Sequence, residues 1–231
     1  MEIDQILKCV DHTLLKQTAV FADVKKLLDE AERFHTASAC ISPTMLARAK
    51  AYKGNAVRLC TVIGFPNGCQ SSKVKSFEIE RAIEDGADEL DAVIDLGALK
   101  EGNDRKILAD LREWKGICKD RILKVIVEAC LLTEEEKIRM CEIVTESGAD
   151  YIKTSTGFSS GGATRADVAL FAAHVGKNVR IKAAGGIATL EDAEAFLALG
   201  ASRLGTIWNM RSWSATSAAF RAIRARTAGS A

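Results

Sequence analysis

The sequence predicts a single (β/α)8 TIM barrel. β-rich runs alternate with longer segments of helical periodicity throughout the 231-residue chain, and eight such alternations fit a barrel. No Pro-, Ser- or Gly-rich linker divides them, so one domain is predicted over 1–231, with the tail of about 221–231 a candidate for disorder. A doubly wound open sheet is the alternative. It more naturally uses five to seven strands, and the first predicted strand lacks a dinucleotide-binding glycine fingerprint.

The predicted strands are rich in β-branched and apolar residues and are bounded by turn-forming residues. They cover 8–13, 37–41, 57–65, 89–96, 123–130, 151–155, 179–183 and 203–206. The fifth, which begins Leu123-Lys124-Val125-Ile126, is the clearest by composition.

Helical patterns occupy the intervals 22–33, 73–85, 103–115, 134–147, 165–175 and 190–199. Thr133, Thr164 and Thr189 each precede a pattern and are followed three residues later by an acidic residue, which predicts N-caps. Gly86, Gly148 and Gly200 follow helical patterns just before strands, so left-handed C-terminal caps are predicted there.

Composition excludes several classes of function. The net charge of +1 gives no electrostatic footprint for nucleic acid or for an anionic membrane surface. No apolar run approaches the roughly 20 residues that span a bilayer, and no signal-peptide pattern is found at the N-terminus. The seven cysteines form no CxxC pair and are predicted to be buried free thiols, rather than disulfides or metal ligands, in a cytoplasmic protein.

Two lysines stand where predicted strands end. Lys153 lies in the stretch 151–157 and Lys182 in the stretch 180–186, and each is followed by small residues and glycine. For a single lysine, a side chain that extends into water is the ordinary interpretation. Two ammonium groups about 4 Å apart, at an effective dielectric of 20, repel by about 4 kcal/mol, and this equals the roughly three pKa units that separate an ordinary lysine from a neutral amine near pH 7. The repeated pattern therefore predicts a nucleophilic, Schiff-base lysine.

Carboxylates in two apolar runs are candidates for partners of these lysines. Asp91 and Asp11 both lie inside such runs, where a buried charge needs a partner. Asp88 and Glu89 are interpreted as a solvated turn that enters the strand. His12 is interpreted as a packed or hydrogen-bonded residue, and no HxH or HExxH spacing is present, so no catalytic metal is predicted.

Glycines near the ends of strands six and seven predict an anion site. Gly157, Gly185 and Gly186 each precede a predicted helix, and free amides there favour phosphate, although most glycine pairs simply form turns.

Seven motifs, in order along the chain, resemble deoxyribose-phosphate aldolase. They are Asp11-His12-Thr13-Leu14-Leu15, Cys40-Ile41-Ser42-Pro43, the segments 62–68, 86–91 and 123–133, Lys153-Thr154-Ser155-Thr156-Gly157 and Lys182-Ala183-Ala184-Gly185-Gly186. The resemblance implies a class I aldolase that uses no metal or other cofactor, beyond a covalent lysine Schiff base. It further implies reversible cleavage of 2-deoxy-D-ribose 5-phosphate to acetaldehyde and D-glyceraldehyde 3-phosphate. A homodimer that works on a small aldehyde or sugar phosphate is also predicted.

The resemblance assigns roles to individual residues. Lys153 matches the Schiff-base lysine, Lys182 the second lysine that lowers its pKa, and Asp91 the acid/base that moves protons. Supporting or substrate-binding positions match Asp11, Thr154, Cys40, Gly157, Gly185 and Gly186. Cys40 is expected to be a thiol near the mouth that is open to electrophilic aldehydes.

One segment departs from the family. After Thr206 the family continues with a serine and another small residue that bind phosphate, whereas this chain reads Ile207-Trp208-Asn209. Weakened phosphate recognition is therefore predicted. The alternatives are an acetaldehyde-dependent aldolase for non-phosphorylated aldehydes and a barrel that binds a metabolite without catalysis.

Overall fold

The computed structural model describes residues 1–206, in which eight parallel strands close into one barrel in sequence order. The strands are β1 (Val10–Leu14), β2 (Ser38–Ile41), β3 (Leu59–Ile63), β4 (Glu89–Val93), β5 (Ile122–Ile126), β6 (Tyr151–Lys153), β7 (Arg180–Ala184) and β8 (Ala201–Thr206). Each lies within or across a predicted strand, so the barrel prediction is confirmed and the open-sheet alternative is wrong. The predicted domain extends to residue 231, and its part at 207–231, including the tail of about 221–231, lies outside the described residues.

The helices pack around the outside of the barrel. They are α1 (Ile3–Leu7), α2 (Phe21–Arg33), α3 (Leu46–Lys53), α4 (Ser72–Glu84), α5 (Leu96–Lys100), α6 (Asp104–Cys118), α7 (Glu134–Ser147), α8 (Arg165–His174) and α9 (Leu190–Ala198), with short 3-10 turns at Pro43–Met45 and Ala129–Leu131. The six predicted helices are confirmed. The sequence did not predict α1, α3 or α5, of which two are only five residues long.

Four strands end earlier than predicted: β6 stops at Lys153 rather than at residue 155, and three others stop within apolar runs. β3, β4 and β5 stop at Ile63, Val93 and Ile126, although apolar residues continue beyond each of them. Gly64 then adopts a φ of +60° and Glu128 a φ of +51°, and backbone with these angles leaves the strand ladder. Apolar composition marks burial in these segments, and burial persists past the last ladder residue.

Local signals at the helix ends are confirmed. The hydroxyls of Thr133, Thr164 and Thr189 accept the amides of residues three positions on, as predicted for N-caps. The predicted C-terminal glycines all have positive φ. Two turns carry a further function, because Asp88 accepts the amide of Leu59, the first residue of β3, and Asp150 accepts the amide of Leu123, the second residue of β5, both at 2.8 Å. These bonds fix each strand start against its neighbour.

The interior of the barrel is apolar toward the helices and charged at its centre. Strand residues are buried on both faces, as a parallel sheet covered by helices requires. Side chains that point outward form a continuous core with the helices. Those that point inward include three carboxylates and four cationic groups, which are described next. No helix in the described part of the chain is both long enough and apolar enough to span a membrane.

Candidate active site

Strand register brings the predicted site residues together. Asp91 on β4 pairs with Lys124 on β5, and Lys153 on β6 pairs with Lys182 on β7. Neighbouring parallel residues in register point to the same side of a sheet, so these four side chains enter the barrel interior at adjoining strands. Asp11 on β1 closes the ring from the other side, through its contact with Lys182.

Asp91 is the centre of this cluster. Its Oδ2 atom accepts hydrogen bonds from Lys153 Nζ at 2.8 Å and from Lys182 Nζ at 2.7 Å. Its Oδ1 atom accepts one from Lys124 Nζ at 2.7 Å, and Cys60 Sγ lies at 3.2 Å. The Asp91 carboxylate therefore lies between Lys153 and Lys182, the two lysines that were predicted to be neighbours. The repulsion estimated from the sequence counted only the two positive charges and not this negative charge between them.

Asp11 anchors the far side of Lys182. It also accepts hydrogen bonds from Ser38 Oγ at 2.6 Å and from Arg203 Nη1 at 2.5 Å. Asp11 is fully buried and accepts hydrogen bonds from all of these groups. It therefore holds Lys182 close to Asp91. The predicted supporting position of Asp11 is consistent with this geometry.

Glu89 is not in a solvated turn, and that interpretation is wrong. Its side chain is 1% exposed and contacts Lys124 Nζ at 2.7 Å and Arg203 Nη1 at 2.9 Å. Glu89 lies two residues before Asp91 on β4, so both point inward, and Glu89 lies one layer nearer the amino end of the barrel. Asp88, the neighbour that points the other way, is partly exposed and belongs to the turn.

The electrostatics of the cluster keep most of its members charged. Burial alone would raise the pKa of the Asp91 carboxyl. The three surrounding ammonium groups lower this pKa by more than burial raises it, so it lies well below the usual value. Burial lowers the pKa of Lys182, whereas Asp11 and Asp91 raise it by more, and the result is above the ordinary lysine value. The pKa of Lys124 is raised in the same way, against burial, foremost by Asp91. The pKa of Asp11 is lowered, because Lys182 and its other cationic neighbours outweigh the effect of burial.

A cavity of about 450 Å³ opens above this cluster at the carboxyl ends of the strands. It is lined by Thr13, Leu15, Lys16, Lys153, Thr156, Gly157, Phe158, Ala184, Gly185, Gly186, Ile187, Ala188, Gly205 and Thr206. Lys153 reaches this cavity, whereas Lys124 and Lys182 do not line it and are fully buried. Of the three lysines on Asp91, Lys153 is therefore the one that a substrate in the cavity can reach.

The three predicted glycines line this cavity and have positive φ values, between +77° and +83°. The loops that carry them touch backbone to backbone: a Cβ on Gly162 would lie 2.4 Å from the carbonyl oxygen of Gly185. Within residues 1–206, the amides of Gly157, Gly186 and Ile187 have no hydrogen-bond acceptor. Unpaired amides at a cavity wall can bind an anion.

The loop from β6 is stiffened by a carboxylate that the sequence did not assign to the site. Glu128 is buried and accepts hydrogen bonds from the amide and the hydroxyl of Thr156. The Thr156 hydroxyl in turn accepts the amide of Phe158 at 3.1 Å. This network fixes the segment that follows Lys153.

Thr154 lies beside the site and does not line the cavity. Its hydroxyl donates to the Ala184 carbonyl at 3.2 Å and accepts the Ala184 amide at 3.1 Å. It therefore supports the site by tying β6 to the end of β7.

The expectation that Cys40 is open to aldehydes is wrong. Its side chain has no exposed surface and does not line the cavity above the cluster, because it packs with Cys60 and Val62 beneath Leu15 and Phe65. All seven cysteines are free thiols, as predicted. The prediction that they are buried is wrong for Cys69 and Cys130, which are exposed.

Among residues 1–206, two groups of side chains have the atom types and spacing that a metal needs. Ligand atoms lie within 4.8 Å of one another in the groups Cys40, Cys60, Asp91 and Asp11, Cys60, Glu89. All three carboxylates already contact lysine or arginine at hydrogen-bond distance. A divalent cation would have to displace these cations, so the residues do not fit a metal site well.

Comparisons with known proteins agree with this geometry. Residues 5–210 match the DeoC/LacD family aldolase model. Proteins named deoxyribose-phosphate aldolase from Streptococcus pyogenes (serotype M4) and Streptococcus agalactiae (serotype Ia) are each 54% identical over 206 residues, covering 89% of this chain and 92% of theirs. A solved tetrameric deoxyribose phosphate aldolase from Aeropyrum pernix has a TM-score of 0.81 at 28% identity, covering 97% of this chain and 92% of that one.

A barrel that buries lysines and carboxylates beneath a cavity at the carboxyl ends of its strands has the architecture of an enzyme. The chain belongs to the DeoC/LacD aldolase family.

Proposed function

We propose that the chain is a Schiff-base aldolase that reversibly cleaves 2-deoxy-D-ribose 5-phosphate to acetaldehyde and D-glyceraldehyde 3-phosphate. One observation carries the proposal: Lys153 lines the cavity while its ammonium group contacts Asp91, which also binds two fully buried lysines. The activity named for the Streptococcus relatives supports the substrate.

The charge count of the cluster supports Lys153 as the nucleophile. Four cations face three carboxylates: Lys124, Lys153, Lys182 and Arg203 against Asp11, Glu89 and Asp91. The cluster therefore has one surplus positive charge, which disappears if a lysine gives up a proton. Lys124 and Lys182 have raised pKa values and retain their protons, and neither lines the cavity, so Lys153 is the lysine whose amine can serve as the nucleophile.

The reaction then follows from ordinary amine chemistry. The Lys153 amine attacks the aldehyde carbon of the open-chain sugar, and loss of water gives an iminium. A base removes the C3 hydroxyl proton, and the C2–C3 bond breaks as C3 and its oxygen become the aldehyde group of the departing D-glyceraldehyde 3-phosphate. The electrons of the broken bond pass into the iminium to form an enamine. The enamine takes a proton at C2, and hydrolysis releases acetaldehyde and the amine.

Asp91 is the proposed acid/base in these transfers, either directly or through water. Its carboxylate touches Lys153 Nζ at 2.8 Å, within reach of the atoms that react. Lys182 and Lys124 keep it ionised and oriented. This stabilises the state in which Asp91 can accept a proton when the cavity contains substrate.

The phosphate is assigned to the glycine loops. Gly157, Gly186 and Ile187 line the cavity, and their unpaired amides can donate hydrogen bonds to the oxygens of the phosphate group. Ile207 and Trp208 lie outside the described residues, so weakened phosphate recognition stays a prediction from the sequence. We expect discrimination between 2-deoxyribose 5-phosphate and 2-deoxyribose that is about 10² to 10⁴ smaller than with hydroxyl donors at 207 and 208.

Measuring kcat/KM for both sugars tests this expectation. The double substitution Ile207→Ser/Trp208→Ser should increase the preference for the phosphorylated sugar. A strong preference in the unsubstituted protein that the double change leaves unimproved would contradict weakened recognition.

Metal independence, a cytoplasmic location and a homodimer are further parts of the proposal. The cations that already occupy the carboxylates support the first, and the free thiols are consistent with a reducing compartment. The relative from Aeropyrum pernix is a tetramer, which supports self-association without fixing its order.

Trapping with borohydride tests the central claim. Acetaldehyde and borohydride should leave a reduced two-carbon adduct on Lys153, located by peptide mass spectrometry, and Lys153→Ala should abolish both adduct and activity. Lys16→Met is a matched control, because Lys16 lines the same cavity but lies outside the charge cluster, and it should retain the adduct. An adduct on Lys16 alone, or none on Lys153, would overturn the proposal.

A further inference from the structure

A second cavity of about 330 Å³ adjoins the cavity that contains Lys153. The two cavities share three lining residues: Leu15, Lys16 and Phe158. The first cavity lies over the ends of β6, β7 and β8, and the second lies over the loops that follow β2 and β3. Together they divide the mouth of the barrel.

The floor of the second cavity reaches the same level as the catalytic cluster. Val62 lines this cavity and pairs in register with Asp91, so both side chains point into the barrel from adjoining strands. Val62 also packs in the apolar cluster that Leu15 and Phe65 cover. An occupant of the second cavity would therefore rest on apolar side chains, one strand away from the carboxylate that contacts Lys153.

The walls of the second cavity suit an uncharged occupant with an apolar chain. Pro43, Met45, Phe65 and Pro66 line it, in addition to Val62, and its polar lining residues Gln17, Ser42 and Thr44 carry no charge. Its charged lining residues, among those the structure describes, are Lys16 on the shared wall and Glu78 opposite, and Glu78 Oε2 already accepts the Gly64 amide at 2.6 Å. The lining residues within 1–206 include no second cation that would balance a phosphate dianion.

Side chains rather than backbone separate the two cavities. The Phe158 ring meets Phe65 edge-on, with centroids 5.1 Å apart and planes at 83°, and its side chain is 48% exposed. Its own amide is held by Thr156, so the backbone stays in place while the ring is in contact with solvent. The remaining partition is the Leu15 side chain and the long stem of Lys16.

We propose that the second cavity is a subsite for the alkyl chain of neutral acceptor aldehydes. The enamine formed from acetaldehyde at Lys153 attacks the carbonyl carbon of the acceptor, whose oxygen takes up a proton as the C=O π bond breaks, and water then hydrolyses the iminium to release the 3-hydroxyaldehyde. This inference rests on the proposed function and specifies its substrate class. A phosphorylated acceptor is drawn to the unpaired amides of the first cavity. An alkyl chain gains nothing from those amides, but it loses contact with water when it passes over Phe158 into the second cavity.

The expected effect can be stated for each carbon. Burial of one methylene group is worth about 0.8 kcal/mol, or roughly fourfold in an equilibrium or rate constant. With acetaldehyde as donor, kcat/KM for the acceptor should rise from propanal to hexanal by up to roughly fourfold per methylene. The product 3-hydroxyaldehydes are measured by chromatography after derivatisation.

Two substitutions fill the second cavity from its rim. Ala19→Trp and Thr44→Trp each place an indole in it, and neither residue lines the first cavity. Both should abolish the increase with chain length, so that propanal and hexanal react with similar kcat/KM. Thr18→Trp is the matched control, since Thr18 is exposed next to Ala19 and lines neither cavity, and it should keep the increase.

A flat or falling series in the unsubstituted, active enzyme would overturn the subsite, and so would an increase that survives both cavity-filling changes. Loss of the increase in Thr18→Trp as well would also overturn it. If the unsubstituted protein forms no borohydride adduct at Lys153 and does not react with propanal, the proposed function itself is wrong and the subsite fails with it.

Discussion

At the scale of single residues, Asp91 is central to the proposed reaction, because it contacts the proposed nucleophile Lys153 and two further lysines. Asp91→Asn keeps the shape of the side chain but removes the charge that three lysines contact. We expect kcat for cleavage of 2-deoxyribose 5-phosphate to fall by at least about 10²-fold, the usual contribution of a positioned acid/base. Steady-state kinetics checks this, with Asp120→Asn on the exposed surface as a control. An Asp91→Asn rate close to that of the parent would remove Asp91 from the mechanism.

Lys182 supplies the second residue-scale prediction. It touches Asp91 and Asp11 but not the cavity, so Lys182→Met removes a positive charge near Lys153 without altering the cavity lining. With one cation fewer, the cluster has no surplus positive charge, so the neutral amine that Schiff-base formation needs is less favoured. The pH–rate profile should move to higher pH, with slower Schiff-base formation at pH 7. The same substitution at Lys106, which pairs on the surface, should leave the profile in place. An unmoved profile in Lys182→Met would show that Lys182 is not the perturbing charge.

The sequence revealed part of this cluster. Lys153, Lys182 and Asp91 follow from polar residues inside or at the ends of apolar strands, combined with the family resemblance. Lys124 carries the same signal, since it interrupts the apolar run of the clearest strand, but the sequence analysis did not assign it a role. The contacts between these charges depend on the register between strands that are distant in sequence. The amino-acid sequence alone does not give that register.

At the scale of elements, the αβ turns and caps could be predicted because their causes are local. A threonine hydroxyl and an amide three residues on, or a glycine at positive φ, lie within one turn of chain. The short helix α5 could not be predicted, because Asp95 begins it within a stretch whose composition is that of a strand. A buried helix and a buried strand both need apolar residues, so the composition of this stretch does not distinguish between them.

Helix α4 carries a buried cation outside the active site. Lys75 donates to the carbonyls of Gly68 and Val93, at 2.6 and 2.9 Å, and so ties the loop after β3 to the end of β4. Burial lowers the pKa of Lys75 to about 8. The unfolded chain therefore binds one proton more than the folded chain between about pH 8 and the ordinary lysine pKa of about 10.4.

Stability should consequently rise with pH in that window. The free energy of unfolding of the parent, relative to Lys75→Met, should increase by roughly 1–3 kcal/mol from pH 8 to pH 10.5 and stay level below pH 8. Urea unfolding at several pH values measures it. Lys73→Met, on the exposed face of the same helix, should follow the parent. A difference between parent and Lys75→Met that does not change with pH would contradict this assignment.

At the scale of the whole molecule, the buried ion pairs link barrel stability to acidity. Asp11 on β1 and Asp91 on β4 bind cations from β5, β6, β7 and β8, so their charges connect most of the strands across the interior. Each has a folded-state pKa below its ordinary value. Each therefore adds stability that is fully present above its unfolded pKa of about 3.9 and is lost as pH falls below it.

We therefore expect the free energy of unfolding to be level from pH 7 to about pH 5 and to fall steeply below about pH 4. Asp91→Asn should be less stable than the parent at pH 7 by about 3–5 kcal/mol, because it leaves buried ammonium groups without their shared partner. Its stability should also fall less steeply in acid, since one titrating carboxylate is gone. Urea unfolding at pH 7, 5, 4 and 3 compares the parent with Asp91→Asn, and with Asp120→Asn as the exposed control. Equal acid slopes in all three proteins would show that Asp91 does not couple protonation to the closure of the barrel.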